Sequence, residues 1–260
     1  MATNSLRTDR EWQQWGDLDP MYGVATVRGR SRSGQNPWTA SDFYAAGKGD
    51  WMEFRECWDR YGRHDGECLE IGCGAGRMTK WLCADFHHVS AIDVSAGMIA
   101  AARANLENEN VGFTVTNGTS VPLESNSVSA AFSTHVFQHL PDPEAGAAYF
   151  REIWRVLVPG STLMIHAPLI IYPRGASRNL QLGLHRLVSA LVRLAGVVKS
   201  CAYALGIRKQ PVMSGTWYEV EWLYQTMRRI GFARIQFHIQ HHDTQMGEGS
   251  HAFVFATKPL

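Results

Sequence analysis

Three glycines crowded behind an acid carry the first chemical signal. Cys68–Met78 reads CLEIGCGAGRM, so Gly72, Gly74 and Gly76 alternate with Cys73 and Ala75, and Glu70 stands two residues ahead. Glycine tolerates positive φ and lets backbone approach a ligand closely. Where a strand turns into a helix, the first helical N–H groups are unbonded and face that ligand. Such a turn is a cofactor cradle. Asp93 follows Gly72 by 21 positions, where an acid can fork onto two ribose hydroxyls. That spacing fits a dinucleotide equally well, so it marks nucleoside binding and not one reaction. A dinucleotide fingerprint needs GxGxxG, whereas GxGxG is followed here by Arg77, and no GxxxxGK[ST] occurs.

Eleven histidines supply candidates for proton transfer. An imidazole near neutral pKa can accept a proton from an attacking atom. His135 ends the run AAFST, His166 ends STLMI, and His238, His241, His242 and His251 flank the turn between the last two expected strands. His87 and His88 precede a strand and fall on the opposite edge. A metal site at His238, His241 and Asp243 is not expected, since a surface turn explains them. Five scattered cysteines without a CxxC exclude a disulfide framework or zinc cluster.

Alternating strands and helices must position these groups. Strands are expected at 67–71, 88–93, 111–116, 127–134 and 161–168, and helices at 77–85, 95–107 and 143–157, the last opening on Pro143. That rhythm means a mostly parallel sheet with helices on both faces. A helix at 219–231 follows, then strands at 233–239 and 251–258. The eleven residues between those two strands hold no crossover helix, so the pair is antiparallel. Ahead of the sheet, residues 1–40 show little periodicity, and Ser41-Asp42 offers a cap for a helix over 42–61 that carries Trp51, Phe54, Trp58 and Tyr61. These aromatics are read as core.

The rhythm breaks over 169–216. There Leu180, Leu184, Leu187, Leu191, Leu194 and Val198 follow spacings of 4, 3, 4, 3 and 4 on one helical face. His185, Arg186 and Arg193 interrupt it, so no membrane span is expected. The segment reads as a lid over an acceptor pocket, with a homodimer contact or a membrane-surface helix as alternatives. The organisation is thus an N-terminal helical cap (1–62), a core (63–168 and 217–260) and a helical insertion (169–216).

Composition bounds the rest. The chain has 260 residues, 45% hydrophobic and 19% charged, which suits one globular domain with an elaboration. Its 25 basic and 24 acidic residues give a net charge of +1, with no basic block, so nucleic acid is not an expected partner. The first residues lack a signal-peptide core, and a cytoplasmic location is expected.

LEIGCGAGR resembles the first motif of the class I S-adenosylmethionine-dependent methyltransferases. AIDVSAGMIAAARAN resembles their second-strand motif, TNGTSVPLESNSVSAAFSTHVFQHLPD their third- and fourth-strand region, and REIWRVLVPGSTLMI the approach to their fifth strand. The resemblance covers about 65–168. It implies an α/β, Rossmann-like, doubly wound sheet of seven strands with an antiparallel last strand. It implies S-adenosyl-L-methionine held by Glu70, Gly72, Cys73, Gly74 and Gly76, by Asp93 and Val94, by Met98 against adenine, and by Asn117, Gly118, Thr119 and Thr134. The usual acid near the adenine amino group is replaced by Asn117, whose carbonyl can still accept. It also implies direct methyl displacement to an O, N or C atom of a small, partly apolar acceptor. The fourth-strand end faces the methyl group in this family, so His135 is the first candidate base, with His166 and His241 next; His139 is read as structural. A protein of this fold that binds the cofactor without transferring methyl is the alternative. Tyr22, Trp38 and Tyr44 are expected to close the cofactor side.

Overall fold

The structure, a computed structural model, describes residues 2–27, 29–30, 32, 36–106, 110–170, 191, 194–208, 210–213, 215–244 and 247–260, without the side chains of 2–8, 241–244 and 247–249. Three helices come first: α1 (Ala2–Leu18), α2 (Pro20–Val24) and α3 (Ala40–Tyr61). The alternating core is β1 (Glu67–Ile71), α4 (Thr79–Asp85), β2 (His88–Asp93), α5 (Ala96–Asn105), β3 (Val111–Val115), β4 (Val128–Ser133), a 3-10 turn (Phe137–His139), α6 (Pro143–Val156) and β5 (Leu157–Ile170). A short β6 (Tyr218–Glu219), α7 (Val220–Ile230), β7 (Ala233–Thr244) and β8 (Gly247–Thr257) complete it.

The sheet order is β3-β2-β1-β4-β5-β8-β7, with β6 beside β5. β1 to β5 pair in parallel, while β8 is antiparallel to both β5 and β7. The expected seven strands are therefore present, with a two-residue eighth. Three local readings change. Residues 2–18, expected to be aperiodic, form α1. Thr39, not Ser41, caps α3, its Oγ1 accepting from Asp42 N–H at 3.1 Å. The eleven-residue connection is mostly strand, because β7 and β8 extend to Thr244 and from Gly247.

The sheet separates two apolar layers. Phe137, Phe150, Ile153, Tyr218, Leu223 and Met227 pack on one face with Leu69, Ile71 and Val254. On the other, α3 lays Trp51, Phe54, Trp58 and Tyr61 against Phe132, Phe253 and Phe255, as its aromatic spacing required. Trp58 Nε1 donates to Thr162 Oγ1 at 3.0 Å, so the buried indole is satisfied.

α1 reaches the sheet by backbone proximity. A side chain on Gly97 would lie 2.7 Å from the Gly16 carbonyl carbon, so only glycine permits this seat on α5. Of the insertion, 171–190, 192 and 193 lie outside the described residues, and with them Leu180, Leu184 and Leu187. Residues 194–204 are helical. No helix among the described residues is long and apolar enough to cross a membrane.

Candidate active site

The carboxyl ends of β1, β2 and β4 meet where the glycines stand. Gly72 and Cys73 donate their N–H groups to Ile92 O at 2.7 and 3.1 Å, tying the loop to β2. Gly72, Gly74 and Gly76 have φ of 71°, 53° and 81°, the conformation their lack of Cβ permits. The space they save goes to protein, not only to a ligand. A side chain would overlap Val136 at Gly72, Val24 at Gly74 and Leu106 at Gly76. Tyr44 steadies the loop by donating its hydroxyl to Ala75 O at 3.0 Å. The Cys73 thiol is buried, and burial pushes its pKa up, which suits a small filler and not a nucleophile.

Two acids underlie the loop. Asp93 accepts from Gly74 N–H through Oδ2 at 2.8 Å and from Ser95 N–H through Oδ1 at 2.9 Å. Burial raises its pKa, while those N–H groups oppose the rise. Each carboxylate oxygen keeps a second lone pair for a ribose hydroxyl. Glu70 is buried and accepts from Thr79 Oγ1 at 2.6 Å. Desolvation pushes its pKa up to about 8, against the opposing Thr79 hydrogen bond.

Met98 is buried, its Cε 3.1 Å from where a Gly23 side chain would stand, so it packs beneath α2 at the edge of the loops. The Asn117 carbonyl accepts from the N–H and hydroxyl of both Thr119 and Ser120, at 3.0 to 3.1 Å. That oxygen is committed to its own turn, and Asn117's remaining capacity is as a donor.

α1 crosses these loops, a role with no local signal in the sequence. Gln13 Nε2 donates to Val94 O at 2.8 Å. Asp9 Oδ1 lies 3.0 Å from the position of a Cβ on Gly118, which has φ of 74°. Trp12 meets His139 edge-on at 5.0 Å. Of the expected closing aromatics, Trp38 donates to Ala25 O at 2.7 Å, and Tyr22 lies near Trp15.

Ser133 Oγ donates to Ile71 O at 2.9 Å, holding the ends of β4 and β1 side by side. Thr134 and His135 therefore emerge beside the glycine loop. His135 is left-handed, at φ 59°, a strained setting for a non-glycine residue. His135 is an exposed residue whose ring is nevertheless crowded by protein. Lost solvation, with repulsion from Arg77, His139 and His251, lowers its pKa below the usual imidazole value.

His166 lies buried next to it, ring centres 4.5 Å apart. His135 N–H donates to His166 Nδ1 at 3.4 Å, so His166 Nε2 carries the proton of the neutral ring. That nitrogen faces His251 Nδ1 at 3.1 Å, and the two rings stack. The β5–β8 register, His166 opposite Phe253 and Pro168 opposite His251, creates this diagonal pair. His251 was noted in the sequence only as flanking a turn. The backbone of His241 lies in β7, and its side chain falls outside the described residues. Among the described residues no His, Cys, Asp or Glu cluster could hold a metal.

Two buried polar atoms by this site, Thr134 Oγ1 and Arg77 Nε, have no hydrogen-bond partner among the described residues. A polar cofactor at the ends of β1 and β4 gives such atoms partners, which fits the set.

Residues 69–165 match a family described as a methyltransferase domain. No curated protein matches the chain. Among solved structures it is similar to an S-adenosylmethionine-dependent methyltransferase from Methanosarcina mazei, at 20% identity and a TM-score of 0.56, over 78% of this chain and 97% of that one. A methyltransferase of the same description from Mesorhizobium loti aligns at 18% identity and a TM-score of 0.53, over 80% and 97%. Phosphoethanolamine N-methyltransferase 2 of Haemonchus contortus, in complex with phosphomonomethylethanolamine and S-adenosylhomocysteine, aligns at 17% identity and 0.53, over 81% of this chain and 53% of that one. At these identities the structures speak for the fold.

Proposed function

We propose that this chain is a class I S-adenosylmethionine-dependent methyltransferase, a reading that its domain match and fold support, and that it methylates an O, N or C atom of a small, partly apolar acceptor lodged against His135. The observation that carries the reading is the Ser133–Ile71 hydrogen bond, which sets His135 beside the glycine loop. Gly72, Gly74 and Gly76 bring backbone to the cofactor. Asp93 takes the ribose hydroxyls, and Val94, Gly118 and Thr119 border the adenine under α1. Thr134 Oγ1 and Glu70 stand toward the methionine end.

When bound, S-adenosylmethionine supplies an electrophilic methyl carbon, so no covalent enzyme intermediate is required. The protein's tasks are then to orient the acceptor, exclude water and hold one proton. His135 accepts the acceptor's proton on its ring; its lowered pKa keeps the ring unprotonated beforehand but makes it a weaker base than an ordinary imidazole. His166 has both ring nitrogens engaged and acts as a positioning residue, fixing the His135 backbone by accepting its N–H. No membrane span is expected, and the location in the cell is taken as cytoplasmic.

Calorimetric titration with S-adenosylmethionine, S-adenosylhomocysteine and NAD tests the cofactor. Micromolar binding of S-adenosylhomocysteine, about 8 kcal/mol, is expected. NAD binding in its place would refute the reading. Mass spectrometry of acceptor mixtures, looking for a gain of one methyl group, tests the substrate class.

A further inference from the structure

The helical segment over 194–204 turns an apolar face outward. Leu191, Leu194, Val197 and Val198 are all exposed, at 57%, 62%, 45% and 62%. With Cys201 they fall within an arc of about 120° at 3.6 residues per turn. Leu205 and Ile207, just beyond the helix, are exposed at 74% and 76% and extend the patch. The opposite side, with Gly196, Ser200 and Tyr203, is partly covered, and Ser200 Oγ donates to Glu11 Oε1 of α1 at 3.4 Å. The face is therefore turned away from α1 and from the cofactor cradle beneath it.

Charge identifies what covers this face. Between residues 169 and 216 the sequence contains seven Lys or Arg residues and no Asp or Glu, in a chain whose net charge is only +1. Lys199, on the helix beside the apolar arc, and Arg208, just beyond the helix, are exposed. We infer that this face docks on an anionic lipid bilayer surface, with Leu194 and Val198 entering the acyl boundary and Lys199 and Arg208 meeting headgroups. An amphipathic helix lying in the interface requires apolar residues on one side and cations beside them. A second copy of the chain fits less well, because an isologous contact brings two cationic, acid-free segments together. A closing lid fits less well, because a lid turns its apolar side toward the ligand.

β6, entered directly from 205–217, pairs with Leu169 and Ile170 of β5. The claim concerns binding and holds whichever acceptor is methylated.

Cosedimentation of the full chain with vesicles of phosphatidylcholine, alone or mixed with phosphatidylglycerol, is the test. Binding to the mixed vesicles only, weakened by added salt, is expected. Lys199→Glu/Arg208→Glu is expected to lower vesicle partition at least about tenfold, since each cation near an anionic leaflet contributes to the attraction. Leu194→Ser/Val198→Ser is expected to lower it similarly, with unchanged circular dichroism because both sites are exposed. No binding to mixed vesicles at low salt would overturn the inference. So would binding that both double variants leave intact. Size-exclusion chromatography completes the test: a dimer abolished by Leu194→Ser/Val198→Ser, without vesicle binding, assigns the face to a second copy and overturns it too.

Discussion

The cradle at β1–β2 and the histidine row at β4–β5–β8 share one edge of the sheet but are built in opposite ways. The cradle is local: Gly72, Gly74 and Gly76 fall within five residues, and Asp93 reaches back across one βαβ unit to Gly74 N–H. The row is assembled by register: His135 meets His166 31 positions away, and His166 meets His251 85 positions away. A cradle made from one turn takes its shape from few residues, though Val24, Tyr44, Leu106 and Val136 pack around it. A row made by strand pairing depends on every strand between. The cofactor end therefore suits a fixed ligand, and the acceptor end is where changes in register or in the hairpin alter specificity.

The sharpest way to break the comparison is His135→Ala. Turnover is expected to fall about 10²–10⁴-fold, the usual cost of losing a general base, with cofactor affinity unchanged. His135→Gln separates the roles: slow turnover supports a base, while recovered kcat with a raised KM supports positioning alone. Because the His135 pKa is lowered, the ring stays neutral as pH falls below 6.5, so kcat is expected to show no acid limb at the ordinary histidine value. An inflection near 6.5 that disappears in His135→Gln would contradict the shift.

On the cradle side, Asp93→Ala is expected to weaken S-adenosylhomocysteine about 10- to 100-fold, from the loss of charge-assisted hydrogen bonds of about 1.5–3 kcal/mol. An unaltered dissociation constant by calorimetry removes Asp93 from the ribose. Gly97→Ala is expected to lift α1 from its seat and weaken the cofactor by a smaller factor, while His135-dependent chemistry per bound cofactor is retained. If affinity holds, α1 is not part of the cradle.

Glu70→Gln reads out on stability instead of turnover or affinity, and carries a sign. The folded pKa of Glu70 is raised from 4.5 to about 8. Its neutral form is thus favoured in the fold, and that contribution is complete below pH 4.5 and lost as pH rises through 8. Denaturant unfolding of the cofactor-free protein is expected to show Glu70→Gln gaining on the parent across that window. Parallel pH profiles for the two proteins would exclude the burial argument.

What was legible follows the same division. The strand–turn–helix of CLEIGCGAGRM, the alternation of strands and helices and the antiparallel final pair rest on short-range patterning, and all are present. The aromatics of α3 were readable as core because they share one face. α1 was not readable, since its seat on α5 depends on Gly16 meeting Gly97, a backbone approach that leaves no periodic trace. The local setting of Asn117 was hidden for a related reason: its carbonyl bonds to Thr119 and Ser120, and an Asx-type turn looks the same in sequence as a ligand contact. His251 was passed over because only strand register places it on His166.

The Ser200–Glu11 hydrogen bond joins the outward helix to the strap that crosses the cofactor loops. Any linkage that it carries between binding on the two sides of α1 is reciprocal. If lipid contact at Leu194 steadies α1 and slows cofactor escape, the loaded protein must hold the bilayer more tightly than the empty one by the same factor. Each turnover, by exchanging cofactor for by-product, would then also reset the protein's grip on the surface, so residence on lipid and progress through the catalytic cycle would run on one clock.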